Sequence, residues 1–377
     1  MHKGSVTKSM KFNCPKDILI ENISTVSKAV AQKSPIPHLE GIYFKAGESI
    51  ITMIGNNTEI AIKANFFAEI EEEGEVVLNA KNFFDMIRLM PEGIIEIEVN
   101  ENLNTIIKNG KTKYETIGLS ADGFPMIEEI QSDFFIKLTE NKLKDLIRRT
   151  GFSIGTNDSK ITFTGALFEI DNDSLKVVTL DGFRMAVRKE EIYPTDVNTS
   201  YIIPGKSLKE LSKILSDSEK EIKIEFTNKK AVIKIENYEF YTKLIEGEFF
   251  NYEQIIPKNA EIKARVKTKK LIEAIERISL IVTTDNKTPV KFDINDAEIK
   301  LETISRIGKA EDYVEVLKTG PDIEIGFNHN FILDALKATE TEEVLIDFTN
   351  SVSPCIIRQV EDDDFIYLIL PVRLKND

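Results

Sequence analysis

A chain of 377 residues is too long for one ordinary hydrophobic core and points to two or three domains. Its apolar content of 42% is that of a globular protein, and no apolar run approaches the length that spans a bilayer. The formal net charge of −14 excludes a chain that is basic throughout, so any contact with nucleic acid depends on where Lys and Arg gather. The opening stretch MHKGSVTKS lacks the apolar centre of a signal peptide, and Met10 reads as a natural start, so residues 1–9 are set aside as an extension or tag. Cys14 and Cys355 are far apart in sequence and form neither a disulfide framework nor a metal spacing, which fits a cytoplasmic location.

In chain order, an amphipathic helix is predicted over 16–33 (KDILIENISTVSKAVAQK), then the strand–turn–strand run GIYFKAGESIITMIGN. A second helix over 81–90 (KNFFDMIRLM) precedes the β-rich block IEIEVNENLNTIIKNGKTKYETIGL. The order then restarts with a helix over 140–150 (ENKLKDLIRRT), GALFEIDNDSLKVVTLDG, a helix over 206–215 (KSLKELSKIL) and IKIEFTNKKAVIKIENYEFYTKLI. It restarts again with a helix over 269–281 (KKLIEAIERISLI), VKFDINDAEIKLETIS, a helix over 330–338 (NFILDALKA) and VLIDFTNSVSPCIIRQVEDDDFIYLILPV. The recurrence has a period of roughly 120 residues, although no identity-level repeat is visible. The expected fold is therefore α+β: three similar domains over 10–131, 132–257 and 258–377, each with two helices packed on antiparallel sheets.

Helical wheels separate an apolar face from a basic one. Leu143, Leu146, Ile147 and Thr150 oppose Lys142, Lys144, Arg148 and Arg149; Leu208, Leu211 and Leu215 oppose Lys206, Lys209 and Lys213; Phe83, Met86, Ile87 and Met90 oppose Lys81 and Arg88. The helical windows are net positive in an acidic chain, the distribution expected if helices line a basic hole that attracts phosphates without reading bases. Solvated helix faces would give the same wheels. Leu280 lies opposite the stripe of Leu271, Ala274, Ile275 and Ile278, beside Ile281, which suggests burial against a second subunit or against a loop of the same chain.

TLDGFRMAV (179–187) resembles the T-D-G-H-R-L-A motif of the bacterial DNA polymerase III β subunit family, the sliding clamps, and YLILPVRL (367–374) resembles the end of those chains. FFDMIRLMPEG, IIPGKSLKEL, LIEGEFFNYEQIIPK and EIGFNHNFILDAL match other family segments, so the resemblance spans residues 10–374. It implies clamp-type domains assembling as a six-domain ring dimer around double-stranded DNA. A chain of this kind is a processivity factor, an accessory without catalysis of its own. Its implied partners are the polymerase III α subunit, the clamp loader, and other polymerases and repair proteins that insert linear motifs into a pocket; no cofactor and no membrane are implied.

By position, the resemblance places Phe163, Leu180, Gly182, Phe183, Arg184, Met185, Phe250, Gln254 and Ile255 in that pocket, with Asn328, Phe331, Val352, Pro354, Leu370, Pro371, Val372, Arg373 and Leu374. It adds Lys33, Arg277 and Asn157 to the DNA-facing residues, and it sets Tyr114 against Leu280 and Ile281 at the subunit contact. Leu180, Phe183, Phe250 and Gln254 depart from the family's usual Thr, His, Pro and Arg, which makes the pocket more apolar and less basic. The tail Lys375–Asp377 runs past the usual terminal Leu. Among enzyme readings, the acidic run Glu361–Asp364 could serve a metal-dependent phosphodiesterase, but its place between two strand patterns favours a hairpin turn. A protein-only scaffold would leave the basic helix faces unexplained.

Overall fold

The computed structural model describes residues 9–132, 134–156, 158–282, 288–360 and 365–374. Strand β1 (Met10–Pro15) leads into helix α1 (Lys16–Val26), followed by β2 (Gly41–Gly47), β3 (Ile50–Asn56), β4 (Ile60–Phe67), β5 (Glu69–Glu72) and β6 (Gly74–Asn79). Helix α2 (Ala80–Leu89) and strands β7 (Ile94–Val99), β8 (Asn104–Asn109) and β9 (Thr112–Ile117) complete the first third. The middle third repeats the order: β10 (Phe134–Thr139), α3 (Glu140–Thr150), β11 (Gly165–Asp171), β12 (Ser174–Leu180), β13 (Arg184–Glu191), β14 (Asn198–Pro204), α4 (Gly205–Leu211), β15 (Glu221–Phe226), β16 (Lys230–Ile235) and β17 (Tyr238–Lys243). The last third is β18 (Ile262–Lys267), α5 (Thr268–Ser279), β19 (Val290–Ile294), β20 (Glu298–Ser305), β21 (Gly308–Thr319), β22 (Ile323–Phe327), α6 (His329–Thr339), β23 (Glu343–Phe348), β24 (Cys355–Gln359) and β25 (Phe365–Ile369).

Each third is thus strand–helix–strands taken twice, a three-domain α+β fold with six α-helices on antiparallel sheets among the described residues. A strand leads into every helix, a feature the wheels do not register. In β18 the residues alternate buried and exposed along IKARVK, the period of a strand with one face covered. Helix α1 is shorter than the predicted 16–33: it ends at Val26, one 3₁₀ turn carries the chain to Ala29, and Val30 is extended. Pro35 and Pro37 follow in a segment that cannot continue a helix.

The strands pair across the repeat boundaries. In an eight-stranded sheet of order β10-β15-β16-β17-β4-β3-β2-β6, Tyr238–Thr242 pair antiparallel with Ala64–Ile60. In a twelve-stranded sheet of order β14-β11-β12-β13-β25-β24-β23-β18-β21-β20-β19-β22, Arg184–Arg188 pair with Ile369–Phe365. A five-stranded sheet, β5-β1-β7-β8-β9, leaves β9 as an edge. Two compact units result, and both cut through the middle repeat: residues up to Asn141 with Lys209–Leu244, and Lys142–Leu208 with residues from Ile245 onward.

In the first unit, α1 packs on α2, and the α2 cap forms as Asn79 Oδ1 accepts the Asn82 N–H at 3.0 Å. In the second, α5 packs on α6 and buries Leu271, Ala274, Ile275 and Ile278, the stripe read from the wheel, in one core with Phe292, Phe327, Phe348 and Tyr367. Each such Leu or Ile contributes about 1.5–3 kcal/mol by leaving water. Cys14 and Cys355 are both buried, and burial pushes the Cys14 thiol up to about 12 and the Cys355 thiol up as well, so neither is a reactive thiolate.

Gly320, which ends β21, has φ +90°, and a Cβ there would run into the Glu261 carbonyl oxygen. Gly110 also has positive φ (+57°) but has open space around it. Gly320→Ala is therefore expected to cost about 2–4 kcal/mol in a urea titration, against about 1 kcal/mol for Gly110→Ala. Equal costs would show that the close approach at Gly320 carries no strain.

Candidate functional site

The second unit concentrates most of the named pocket residues around the turn between β12 and β13. Asp181 shapes that turn: its Oδ1 accepts the N–H of Phe183 (2.9 Å) and of Arg184 (3.1 Å), while Gly182 takes φ +92°. The same carboxylate accepts Arg184 Nε at 3.0 Å, and Arg184 Nη1 reaches Asp334 Oδ2 on α6 at 2.5 Å. The guanidinium lies 4.5 Å from the Phe331 ring centroid and 5.5 Å from that of Phe152, and Phe183 stacks on Phe331 at 6.2 Å. Arg184 thus pins α6 to the turn and sets the spacing of two aromatic walls.

The C-terminal segment closes one side. Leu370 N–H donates to the Phe183 carbonyl (2.9 Å) and Val372 N–H to the Gly326 carbonyl (2.8 Å). A Cβ at Gly326 would sit 2.7 Å from both the Val372 carbonyl oxygen and the Leu374 side chain, so glycine is needed there for the segment to lie down. On another side Phe163 packs with Phe249 (6.2 Å) and Phe250 (6.4 Å). That segment is fastened by Tyr252, whose hydroxyl donates to Glu169 Oε2 (2.5 Å) and accepts from Lys176 Nζ (3.2 Å); burial and this carboxylate push the phenol up.

Leu180 and Met185 are buried at 4% and 1% exposure, in a core shared with Leu167, Tyr252 and Leu368, so they form a floor beneath the groove. Asn328 caps α6, its side-chain oxygen accepting the Asn330 N–H at 3.0 Å. Val352 and Pro354 belong to the β23–β24 turn, where Asn350 Oδ1 accepts from Val352 N–H at 3.0 Å and from Ser353 N–H at 2.9 Å. The apolar residues left open to solvent are Val352 (77%), Phe183 (61%), Phe250 (42%), Ile255, Leu370 (both 38%) and Val372 (37%). Gln254 and Arg373 are exposed beside them in sequence, and Pro371 and Leu374 are half-buried. Sequence patterns do not single out Phe249, Tyr252, Asp181, Asp334 and Gly326; Asp181, between the named Leu180 and Gly182, and Asp334, one helical turn after Phe331, carry the polar half of the arrangement.

The helix cations divide into two groups. Arg88 pairs with Asp85 (3.0 Å), Lys142 with Glu190 (3.7 Å), Lys213 with Glu210 (2.7 Å) and Arg277 with Asp312 (2.7 Å). Arg148 and Arg149 both bind Asp145 at 2.7 Å, and they reach Glu340 at the end of α6. Lys33, Lys81, Lys206 and Lys209 are exposed and make no ion pair among the described residues. Asn157, the run Glu361–Asp364 and the tail Lys375–Asp377 lie outside the described residues.

Two of the sheet edges lie beside residues named for the subunit contact. Strand β9 carries half-buried Tyr114 and exposed Ile117 (75%) at the edge of its sheet. In the other unit Gly308–Glu315 of β21 pair with β20 alone, with Leu317 (71%) further along and Leu280 (81%) exposed at the end of α5; Ile281 is half-buried. Among the described residues no three His, Cys, Asp or Glu converge to hold a metal ion, and no helix is long and apolar enough to cross a membrane.

The sequence matches three family descriptions in order: DNA polymerase III beta subunit, N-terminal domain (residues 10–128), central domain (137–251) and C-terminal domain (253–373). It is 34% identical to the beta sliding clamp of Bacillus subtilis (strain 168), over 97% of this chain and 100% of that one, and 31% identical to that of Staphylococcus aureus (strain Mu50), over 97% and 99%. Among solved structures it is similar to the DNA polymerase sliding clamp of Bacillus subtilis, with TM-score 0.95, 32% identity and coverage of 98% and 100%. It is also similar to the DNA polymerase III beta subunit of Thermotoga maritima, with TM-score 0.90, 28% identity and coverage of 97% and 100%.

Proposed function

We propose that this chain, which belongs to the DNA polymerase III beta-subunit family of sliding clamps, works as a two-subunit ring that surrounds duplex DNA and offers its apolar groove to short linear motifs of replication and repair proteins. As a beta subunit it is a processivity factor, an accessory of the polymerase with no catalysis of its own. The observation that carries the groove reading is the cluster of solvent-open Phe183, Phe250, Leu370 and Val372 held on a rigid frame of hydrogen bonds and the Arg184 ion pairs. Exposed apolar side chains on a pre-formed frame suit Leu and Phe anchors, because binding then costs little reordering.

Closure of the ring is read from two of the sheet edges, β9 of one copy meeting β21 of the next, with Leu280 and Ile281 covered by the region of Tyr114. Because so many helix cations are neutralised by their own carboxylates, the positive charge left for phosphates is modest. Weak, nonspecific contact is what a sliding ring needs: topology retains it, and tight phosphate binding would slow it. The DNA-facing set is accordingly Lys33, Lys81, Lys206 and Lys209, with the paired cations as a second rank. We place the protein in the cytoplasm, where the replicating chromosome is.

Two experiments test this. Loaded by an ATP-driven clamp loader onto nicked circular duplex, the protein is expected to co-elute with DNA through gel filtration and to be lost when the circle is cut; equal retention on linear DNA would contradict a topological link. In fluorescence anisotropy with a peptide carrying Leu and Phe anchors, Phe183→Asp is expected to weaken binding at least tenfold, since a charge replaces an apolar wall. Unchanged affinity would remove the groove from the account.

A further inference from the structure

Next to the groove, the second unit carries a notch of ≈ 270 Å³ between the segment Pro257–Ala260 and strands β18, β23 and β24. Its charged lining is Lys258, Lys263, Arg358 and Asp347. Asp347 is buried and is engaged by Arg358, whose Nε donates to Oδ2 at 2.8 Å, so this carboxylate offsets one of the three cations. Lys258 and Lys263 are exposed and make no ion pair among the described residues. In a chain of net charge −14, the notch is a local surplus of about two positive charges.

The notch and the groove are built from the same two pieces of chain. Ile255, which the resemblance assigns to the groove, stands two residues before Pro257 of the notch; on the β23–β24 hairpin, Pro354, assigned to the groove in the same way, stands two residues before Ile356 of the notch. Two residues of backbone span at most about 7 Å, so on both pieces of chain a groove residue and a notch residue lie within about that distance. A peptide seated in the groove needs only one or two further residues to bring a side chain over Lys258 and Lys263. The groove itself is apolar, with Gln254 in place of a cation near that end, so selection among partners by charge falls to the notch.

We propose that this notch is an acidic-residue subsite: it receives an Asp or Glu that flanks the apolar anchors of a partner's linear motif. The proposal rests on the groove reading above and adds a charge preference to it. The two lysines act by attraction at a partly exposed surface, so the gain is moderate and falls with salt.

The test uses the full chain and five fluorescent peptides: a core with Leu and Phe anchors, the core with two Glu added at one end or at the other, and the core with two Gln added at one end or at the other. At low salt one of the Glu extensions is expected to bind about three- to tenfold more tightly than the core, the Gln extension to match the core, and the gain to vanish in the Lys258→Gln, Lys263→Gln double variant. That variant changes exposed side chains only and keeps the Arg358–Asp347 pair, and an unchanged melting temperature checks that it folds. A gain that survives in the double variant, or no gain at either end, overturns the subsite. So does a double variant that keeps the peptide gain but loses retention on circular duplex, which would assign the lysines to phosphates. If the core peptide itself fails to bind, or binds equally to Phe183→Asp, it is the groove reading that falls.

Discussion

Replacing Leu280 by Asp is expected to convert the protein from a dimer to a monomer without unfolding it. Leu280 is 81% exposed, so the substitution removes little from its own chain, and the melting temperature of the separated subunit should hardly move. Across a subunit contact the sum is different. Covering a leucine contributes about 1.5–3 kcal/mol, and a two-subunit ring has two such contacts, so the dimer loses about 3–6 kcal/mol before the cost of burying a carboxylate is added. Dissociation should therefore strengthen by a factor of at least a hundred, measurable by sedimentation over a dilution series. A dimer as tight as the unsubstituted one would place Leu280 outside the contact.

The second large effect is expected at Asp145, which joins α3 to the sheet. Its Oδ1 accepts from Arg148 and Arg149, both at 2.7 Å, and its Oδ2 lies 3.0 Å from Arg188. Arg188 and Arg149 are only 10% and 17% exposed, so removing the carboxylate takes the shorter ion pair from each sheltered cation and leaves them Glu190 and Glu340, both at 3.3 Å. Asp145→Ala is expected to cost about 2–4 kcal/mol in a urea titration at neutral pH. Burial alone would raise the Asp145 carboxyl, but the hydrogen bonds from Arg148 and Arg149 and the Arg188 charge outweigh it and hold it below the ordinary 3.8. A carboxyl depressed in the folded state stabilises above its unfolded value and loses that contribution as pH falls through the folded one. The stability of the unsubstituted protein should thus drop as pH goes from about 5 to below 3, and Asp145→Asn should flatten part of that drop. Identical pH profiles would mean that the network titrates without affecting folding.

Much of the helical architecture is legible in the sequence, because an amphipathic helix writes its buried face at a period of 3.6. The stripe of Leu271, Ala274, Ile275 and Ile278 is buried as read, and Leu280 stands exposed opposite it. The strands that precede each helix are not legible, because six residues such as MKFNCP or IKARVK alternate too briefly to stand out beside long helical windows. The pattern does not mark the end of α1, because Lys28 and Lys33 extend its polar face past Val26 although the chain already turns before Pro35. Continuity of the sheets through Tyr238–Thr242 with Ala64–Ile60 is a long-range pairing, and no local pattern encodes it.

The groove was reached by resemblance more than by pattern, and the structure explains why. Phe183 and Leu370 are far apart in sequence and meet through a backbone hydrogen bond, which side-chain identity does not announce. Arg184 shows the same limit: its two carboxylate partners, Asp181 and Asp334, come from a turn and a helix that the sequence does not place side by side. The basic wheels overstate the free charge, since Asp145, Glu340, Glu190 and Asp312 neutralise cations that the wheel shows as free.

Topological retention on DNA requires that two copies close into one ring. Molar mass by light scattering, followed through serial dilution at moderate salt, tests it most directly. A closed ring has a mass near twice the 42.8 kDa chain that persists to low concentration. A single-chain mass at every concentration would contradict it.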